Sequence, residues 1–148
     1  FPTFERLSEL EPEDLSEIRL GYRARYITET AKAVASDGGE MLYSLSRVPT
    51  KEAYEYLTSL CGVGPKVANC ILLFSMEKYE SFPIDVWVRR VMNRLYNIDE
   101  NDVKSMSAFA GEKFGAYGGF AQQYLFYYMR EFKEEAAAAE KATVNEKK

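Results

Sequence analysis

Lys66, Asp85 and the glycines at 62 and 64 are the residues whose types and spacing could do chemistry together. In Cys61-Gly62-Val63-Gly64-Pro65-Lys66-Val67-Ala68-Asn69, two glycines form a short turn and a lysine follows in the first turn of the next helix. Such a turn leaves several backbone N–H groups pointing one way at a positive helix end, a site for a single phosphate. The glycines permit close approach and positive φ. A lysine there faces the positive end of the helix dipole, an unfavourable place for a cation, and the neutral amine is the form that attacks carbon. Nineteen positions on, Asp85 in Phe82-Pro83-Ile84-Asp85-Val86-Trp87 stands at the start of another helix. A carboxylate held by helix N–H groups suits the stabilisation of a developing sugar cation. Phosphate nest, amine and carboxylate are the parts needed to cut a base from DNA. Each also has a plainer reading: Gly-x-Gly as a tight αα turn, Lys66 as a solvated or phosphate-contacting side chain, Asp85 as a helix cap.

The rest of the composition narrows what chemistry is open. The chain has no histidine, which removes the usual general base and any Ser-His or Cys-His nucleophile pair. Its two cysteines, Cys61 and Cys70, are too few for a four-ligand zinc site or an iron–sulfur cluster, and read as reduced thiols. Catalysis therefore rests on Lys, Asp/Glu, Tyr or a bound ion. At 148 residues, 47% hydrophobic and 14% aromatic, the chain is long enough to bury a sizeable core. No apolar run approaches the length of a membrane span, and the N-terminus lacks a signal-peptide pattern.

The net charge of −4 argues against a general polyanion binder, yet it averages unlike parts. Residues 1–18 carry one basic and six acidic side chains, a net −5; residues 19–94 carry eleven and eight, a net +3; residues 95–148 carry seven and nine, a net −2. The basic excess falls on the segment with the turn and the lysine, and a local patch decides whether phosphate is attracted. An ordinary mixed surface would give the same small excess.

The elements that must position these residues are all helical in their periodicity. The pattern predicts helices over Pro12–Leu20, Tyr22–Ser36, Glu40–Leu45, Lys51–Leu60 (N-capped by Thr50) and Pro65–Met76, the last with Pro65 at its first position. Asp85 caps Val86–Tyr96, with Val88, Val91, Met92 and Leu95 along one stripe and Arg89, Arg90 and Arg94 largely off it. A further helix starts at Asp99 or Asn101 and ends at Phe114, where Gly115 and Gly118-Gly119 break it. The last runs from about Phe120 through Arg130 toward Ala136–Ala139, with a frayed tail from Thr143 to Lys148. No segment alternates as a strand would. The expected fold is all-α.

Taken jointly, Leu60 to Ala68 resembles the hairpin of the helix–hairpin–helix DNA glycosylases, and Phe82 to Val86 resembles the Gly/Pro-Asp element of the same superfamily. Lys66 and Asp85 stand at that family's lysine-to-aspartate spacing. Gly21-Tyr22-Arg23-Ala24-Arg25-Tyr26-Ile27 is similar to the helix that enters the DNA stack in the 8-oxoguanine DNA glycosylases. Phe120-Ala121-Gln122-Gln123-Tyr124-Leu125-Phe126 is similar to their base-pocket helix. The likeness runs from Phe1 to about Arg130, through four motifs in order.

That resemblance implies a role for each matched residue. Lys66 attacks the sugar C1′ as the base leaves, and Asp85 stabilises the oxocarbenium ion. Gly62, Gly64 and Val67 offer N–H groups to a phosphate, and Trp87 stands where some members carry a phosphate-contacting histidine. Tyr22 wedges into the stack and Arg23 meets the base left unpaired. Cys70 and Phe126 sandwich the flipped base while Gln122 bonds its polar edge. The carbonyls of Thr58, Leu60 and Val63 hold a structural metal ion in the hairpin; no cofactor is required, and the iron–sulfur tail of related branches is absent from the sequence. The implied partner is double-stranded DNA containing oxidised guanine, met by a monomer. The implied compartment is the cytoplasm or nucleoid of a prokaryote, or the nucleus or mitochondrion of a eukaryote. The chain begins Phe1-Pro2 with no initiator methionine, so the expectation is a helical catalytic region over 1–135, an N-terminal domain upstream of it, and a helical extension with a disordered tail over 136–148.

Overall fold

The computed structural model describes the backbone of residues 1–145 and the side chains of residues 1–131. All its regular elements are helical: α1 (Phe4–Ser8), a 3₁₀ segment (Pro12–Ile18), α2 (Arg23–Ala35), α3 (Glu40–Ser44), α4 (Thr50–Ser59), α5 (Pro65–Ser75), α6 (Val86–Tyr96), α7 (Val103–Phe114), a 3₁₀ turn (Gly115–Tyr117) and α8 (Gly118–Asn145). The all-α expectation holds, with no strand among the described residues. The chain forms two compact units, Phe1–Lys78 and Tyr79–Lys148.

In the first unit, α4 and α5 close on a core of Leu45, Ala53, Leu57, Leu60, Ala68 and Leu72, all buried. Ala53 and Leu57, then Ala68 and Leu72, are four apart, so each helix presents one face to that core. Each buried leucine contributes roughly 1.5–3 kcal/mol relative to exposure, which is what holds the connection between the two helices in one conformation. The α2 helix buries Ala24, Thr28, Ala31 and Val34, and packs on α1 and on the 3₁₀ segment. Lys32 on α2 reaches Glu11 at 2.9 Å, and that hydrogen bond foremost raises the lysine's pKa. At the far end of α5, Lys78 donates to the carbonyls of Ser46 and Val48 at 3.1 and 2.7 Å, fastening the loop that leads into α4.

The second unit is built on α6, α7 and α8. Phe82, Val88, Val91, Met92, Met106, Ala110 and Leu125 form its buried core. Phe82, Tyr96, Phe109 and Phe114 add ring contacts with centroids 4.6 to 6.4 Å apart. The N–H of Gly119 donates to the carbonyl of Tyr79 at 2.7 Å, and a Cβ on Gly118 would lie 2.9 Å from the carbonyl oxygen of Glu80. Both glycines are helical. The sequence pattern reads them as breakers, but the missing side chain of Gly118 lets the backbone before α6 lie against the first turn of α8.

Several boundaries shift by a residue or two. Pro49 rather than Thr50 is the cap of α4, and Asp102 rather than Asp99 or Asn101 caps α7. Pro12–Ile18 is 3₁₀ and stops at Arg19 in the left-handed region, short of the expected Leu20. Leu95, expected on the buried stripe of α6, is exposed. The α1 helix is unanticipated; Thr3 caps it by accepting from the Arg6 N–H at 3.4 Å. Of the tail expected from Thr143, α8 takes in 143–145, and 146–148 lie outside the described residues.

Candidate active site

The turn between α4 and α5 is shaped by Leu60 and Gly62. Leu60 leaves the helix in extended conformation (ψ 144°), anchored by its burial, and its carbonyl accepts the Val63 N–H at 3.1 Å. Gly62 has φ +77°, and a Cβ there would overlap the ring of Tyr26. Gly64 is extended (φ −89°, ψ 178°), caps α5 and has nothing near its open side. Pro65 takes the first helical position, where its missing N–H costs nothing. The first backbone bond of α5 runs from the Ala68 N–H to the Gly64 carbonyl at 2.9 Å. The N–H groups of Gly62, Gly64, Lys66 and Val67 have no acceptor among the described residues. Four donors at the head of an eleven-residue helix form a site for an anion.

Lys66 stands exposed in that first turn, with no ion pair or hydrogen bond among the described residues. Cys70 follows one turn later as a half-buried free thiol. The carbonyls of Thr58 and Val63 accept no hydrogen bond among the described residues, and that of Leu60 accepts one.

Tyr22 and Arg23 belong to the same unit. Gly21 turns the chain with φ +56°, and α2 begins immediately after Tyr22. The Tyr22 ring is 65% exposed, too open for a core residue of its size. The ring of Tyr26 meets it edge-on at 5.5 Å, and the Arg23 guanidinium lies 4.8 Å from its centroid. One turn further along α2, Thr30 Oγ1 donates to the Cys61 carbonyl at 2.9 Å. So α2 touches the α4–α5 turn at two neighbouring residues, 61 and 62.

Asp85 lies in the second unit, at the end of a buried Phe82-Pro83 pair. Its Oδ1 accepts the N–H groups of both Trp87 (2.9 Å) and Val88 (2.8 Å). Its Oδ2 accepts nothing among the described residues. One oxygen thus fixes the carboxylate on the helix and the other is left for a ligand. Trp87 is half-buried, with the Arg90 guanidinium 5.1 Å from its ring. Arg90 and Arg94 are exposed and Arg89 is half-buried, so the basic residues of α6 keep off its core face.

On α8, Gln122 is only 4% exposed. Its Oε1 accepts from Gln123 Nε2 at 2.5 Å, while its own Nε2 has no partner among the described residues. A nearly buried amide with unused donors is set up to meet a polar ligand edge. Phe126, one turn on, is half-buried against the core of its unit, with Arg130 5.9 Å from its ring. Tyr22, Arg23, the hairpin residues, Lys66, Val67 and Cys70 are thus placed in the first unit, and Asp85, Trp87, Gln122 and Phe126 in the second. Tyr26 and Thr30 were missed as site residues. The available signal was a pair of tyrosines four apart at the very head of α2, where an aromatic pair braces a helix end.

No helix among the described residues is long and apolar enough to cross a membrane. Residues 1–115 match the family model described as HhH-GPD superfamily base excision DNA repair protein. The crystal structure of the Clostridium acetobutylicum 8-oxoguanine glycosylase/lyase, bound to double-stranded DNA with cytosine opposite 8-oxoguanine, superposes with a TM-score of 0.81 at 43% identity, covering 90% of this chain and 46% of that one. A probable N-glycosylase/DNA lyase of Methanothermobacter thermautotrophicus is 40% identical over 117 residues, 79% of this chain and 37% of the relative. An N-glycosylase/DNA lyase of Arabidopsis thaliana is 38% identical over 136 residues, 85% and 37% of the two chains. The chain spans less than half the length of each of these proteins.

Proposed function

The chain belongs to the HhH-GPD superfamily of base excision DNA repair proteins, and from that premise we propose that it removes 8-oxoguanine from duplex DNA and cleaves the strand at the resulting site. The observation that carries this reading is Lys66, unpaired in the first turn of α5 beside four N–H groups with no acceptor. The Clostridium acetobutylicum 8-oxoguanine glycosylase/lyase, bound to duplex containing that base and 43% identical, supports the substrate class, and the N-glycosylase/DNA lyase of Arabidopsis thaliana, 38% identical, supports the strand-cleaving activity.

The scissile C1′–N9 bond is inaccessible in the stack, so the damaged nucleotide is first turned out. Tyr22 takes the space it leaves and Arg23 meets the unpaired partner base. Gly62, Gly64 and Val67 hold a backbone phosphate through their N–H groups, with Trp87 beside the backbone. Cys70 and Phe126 each offer the extruded base a contact, and the Nε2 of Gln122 donates to its polar edge. The Lys66 amine bonds to C1′ as the C1′–N9 bond breaks; the electron pair departs with the base, which takes up a proton. The positive charge developing on C1′ and the ring oxygen is stabilised by the Asp85 carboxylate, whose Oδ1 is held by the Trp87 and Val88 N–H groups. Loss of a proton from the amine and opening of the sugar ring give a Schiff base between Lys66 and C1′. Removal of a C2′ proton then expels the 3′ phosphate by β-elimination.

The hairpin carbonyls of Thr58, Leu60 and Val63 fit a hard cation, since they are oxygen donors that accept at most one hydrogen bond each among the described residues and keep lone pairs for a ligand. Such an ion would steady the turn under the bound phosphate. The protein acts as a monomer on double-stranded DNA. Its compartment follows its substrate: cytoplasm or nucleoid in a prokaryote, nucleus or mitochondrion in a eukaryote.

Borohydride trapping tests the reading. On an 8-oxoguanine duplex the protein forms a covalent adduct, and Lys66→Gln forms none while keeping its circular dichroism. Adduct formation preferring another damaged base would move the substrate assignment. Duplex binding with no adduct on any lesion would reduce the chain to a module that only grips DNA.

A further inference from the structure

Tyr26 joins two parts that the reaction uses separately. Its ring occupies the space where any other residue at 62 would carry a side chain, and it meets the Tyr22 ring edge-on at 5.5 Å. It is not a core residue. At 38% exposure, it is absent from the hydrophobic cluster that α4 and α5 build. What it covers is backbone, the left-handed glycine whose N–H belongs to the anion site. One turn along α2, the Thr30 hydroxyl holds the Cys61 carbonyl, so the same helix grips consecutive residues of the turn by a ring and by a hydrogen bond.

We propose that Tyr26 is a positioning residue that clamps the phosphate-holding turn and the Tyr22 wedge into one rigid piece. The interval between the held phosphate and the inserted ring is then set inside the protein before DNA arrives. Lys66 starts from that same turn. An amine bonding to a specific carbon is sensitive to placement, and a shift of about 1 Å can cost on the order of a hundredfold in rate. The ring, not the hydroxyl, does the clamping: the Tyr26 hydroxyl has no partner among the described residues.

The mechanistic half of this proposal rests on the glycosylase/lyase reading; the clamp itself does not. Amide hydrogen exchange of the free full chain reads the clamp without DNA. In Tyr26→Leu the hydrogen-bonded amides of the turn, those of Val63 and Ala68, exchange about tenfold faster or more, while Tyr26→Phe keeps wild-type protection. Thr30→Val, which removes only the hydroxyl, loosens the same amides and keeps the test decisive if Tyr26→Leu does not fold. Single-turnover cleavage of an 8-oxoguanine duplex falls at least tenfold in Tyr26→Leu and is restored in Tyr26→Phe, with a smaller change in affinity for undamaged duplex. Unchanged exchange in both Tyr26→Leu and Thr30→Val overturns the clamp, as does a Tyr26→Phe variant as impaired as Tyr26→Leu. If wild type cleaves no lesion duplex, the functional reading fails and the exchange result still decides the clamp.

Discussion

Gly62→Ala perturbs the turn in two ways that can be measured apart. The residue sits at φ +77°, where an L side chain costs about 1–2 kcal/mol. The new methyl would also overlap Cγ, Cδ2 and Cβ of Tyr26, and overpacking of that kind costs about 1–3 kcal/mol. Together these predict a loss of roughly 2–5 kcal/mol in urea unfolding followed by circular dichroism. A double-mutant cycle with Tyr26→Ala separates the terms. Removing the ring takes away two of the three closest atoms and leaves the Tyr26 Cβ position occupied. The double variant should therefore recover about 1 kcal/mol or more of the Gly62→Ala loss, and the backbone term should persist. A Gly62→Ala loss under about 1 kcal/mol, or a coupling within about 0.3 kcal/mol of zero, would refute the reasoning.

Three other outcomes follow from the same geometry. Gly64→Ala, at an open extended cap, should cost no more than about 1 kcal/mol yet weaken duplex binding, since the methyl stands beside the anion site; unchanged affinity in a gel-shift titration removes Gly64 from that site. Asp85→Asn keeps an N-capping oxygen and should leave stability within a few tenths of a kcal/mol, while base release slows about a hundredfold or more; an unchanged single-turnover rate returns Asp85 to a purely structural role. Asp102 accepts from the Ser105 hydroxyl at 2.6 Å and the Ser105 N–H at 2.9 Å, which lower its pKa. A depressed folded-state pKa stabilises above the unfolded value, so its contribution is complete at neutral pH and is lost only on acidification below the ordinary aspartate range. An NMR midpoint for Asp102 at or above that range would contradict the assignment.

Where local chemistry decides a boundary, it was readable in advance. Asp85 before Val86 and Pro65 after Gly64 each mark a helix start that the structure reproduces, because a cap oxygen and a proline act within a few residues. The α1 helix was not readable. Five residues between Thr3 and Glu9 give too little periodicity, and packing on α2 supplies what the segment lacks. Gly118 and Gly119 misled for a related reason: glycine in a run reads as a breaker, and only the approach of Glu80, some forty positions away, shows why a helix keeps Gly118. The place of Lys66, exposed in the first turn of α5 after the glycine turn, was legible from its spacing to the turn. The part Tyr26 plays was not, since the tyrosine pair at the head of α2 marks a braced helix end but not the glycine, 36 positions on, whose open side the Tyr26 ring fills.

The bond from Gly119 to the Tyr79 carbonyl closes a neck. Everything between those two residues, α6 and α7 with the turn connecting them, leaves and re-enters through one point. A segment whose ends meet in this way can be exchanged as a cassette, because its removal and replacement ask for no new path across the rest of the unit. Transplanting 80–118 from a related glycosylase would carry a new Asp85 and its arginine-bearing helix into this scaffold, with Tyr79 and Gly119 as the seal the incoming segment must fit.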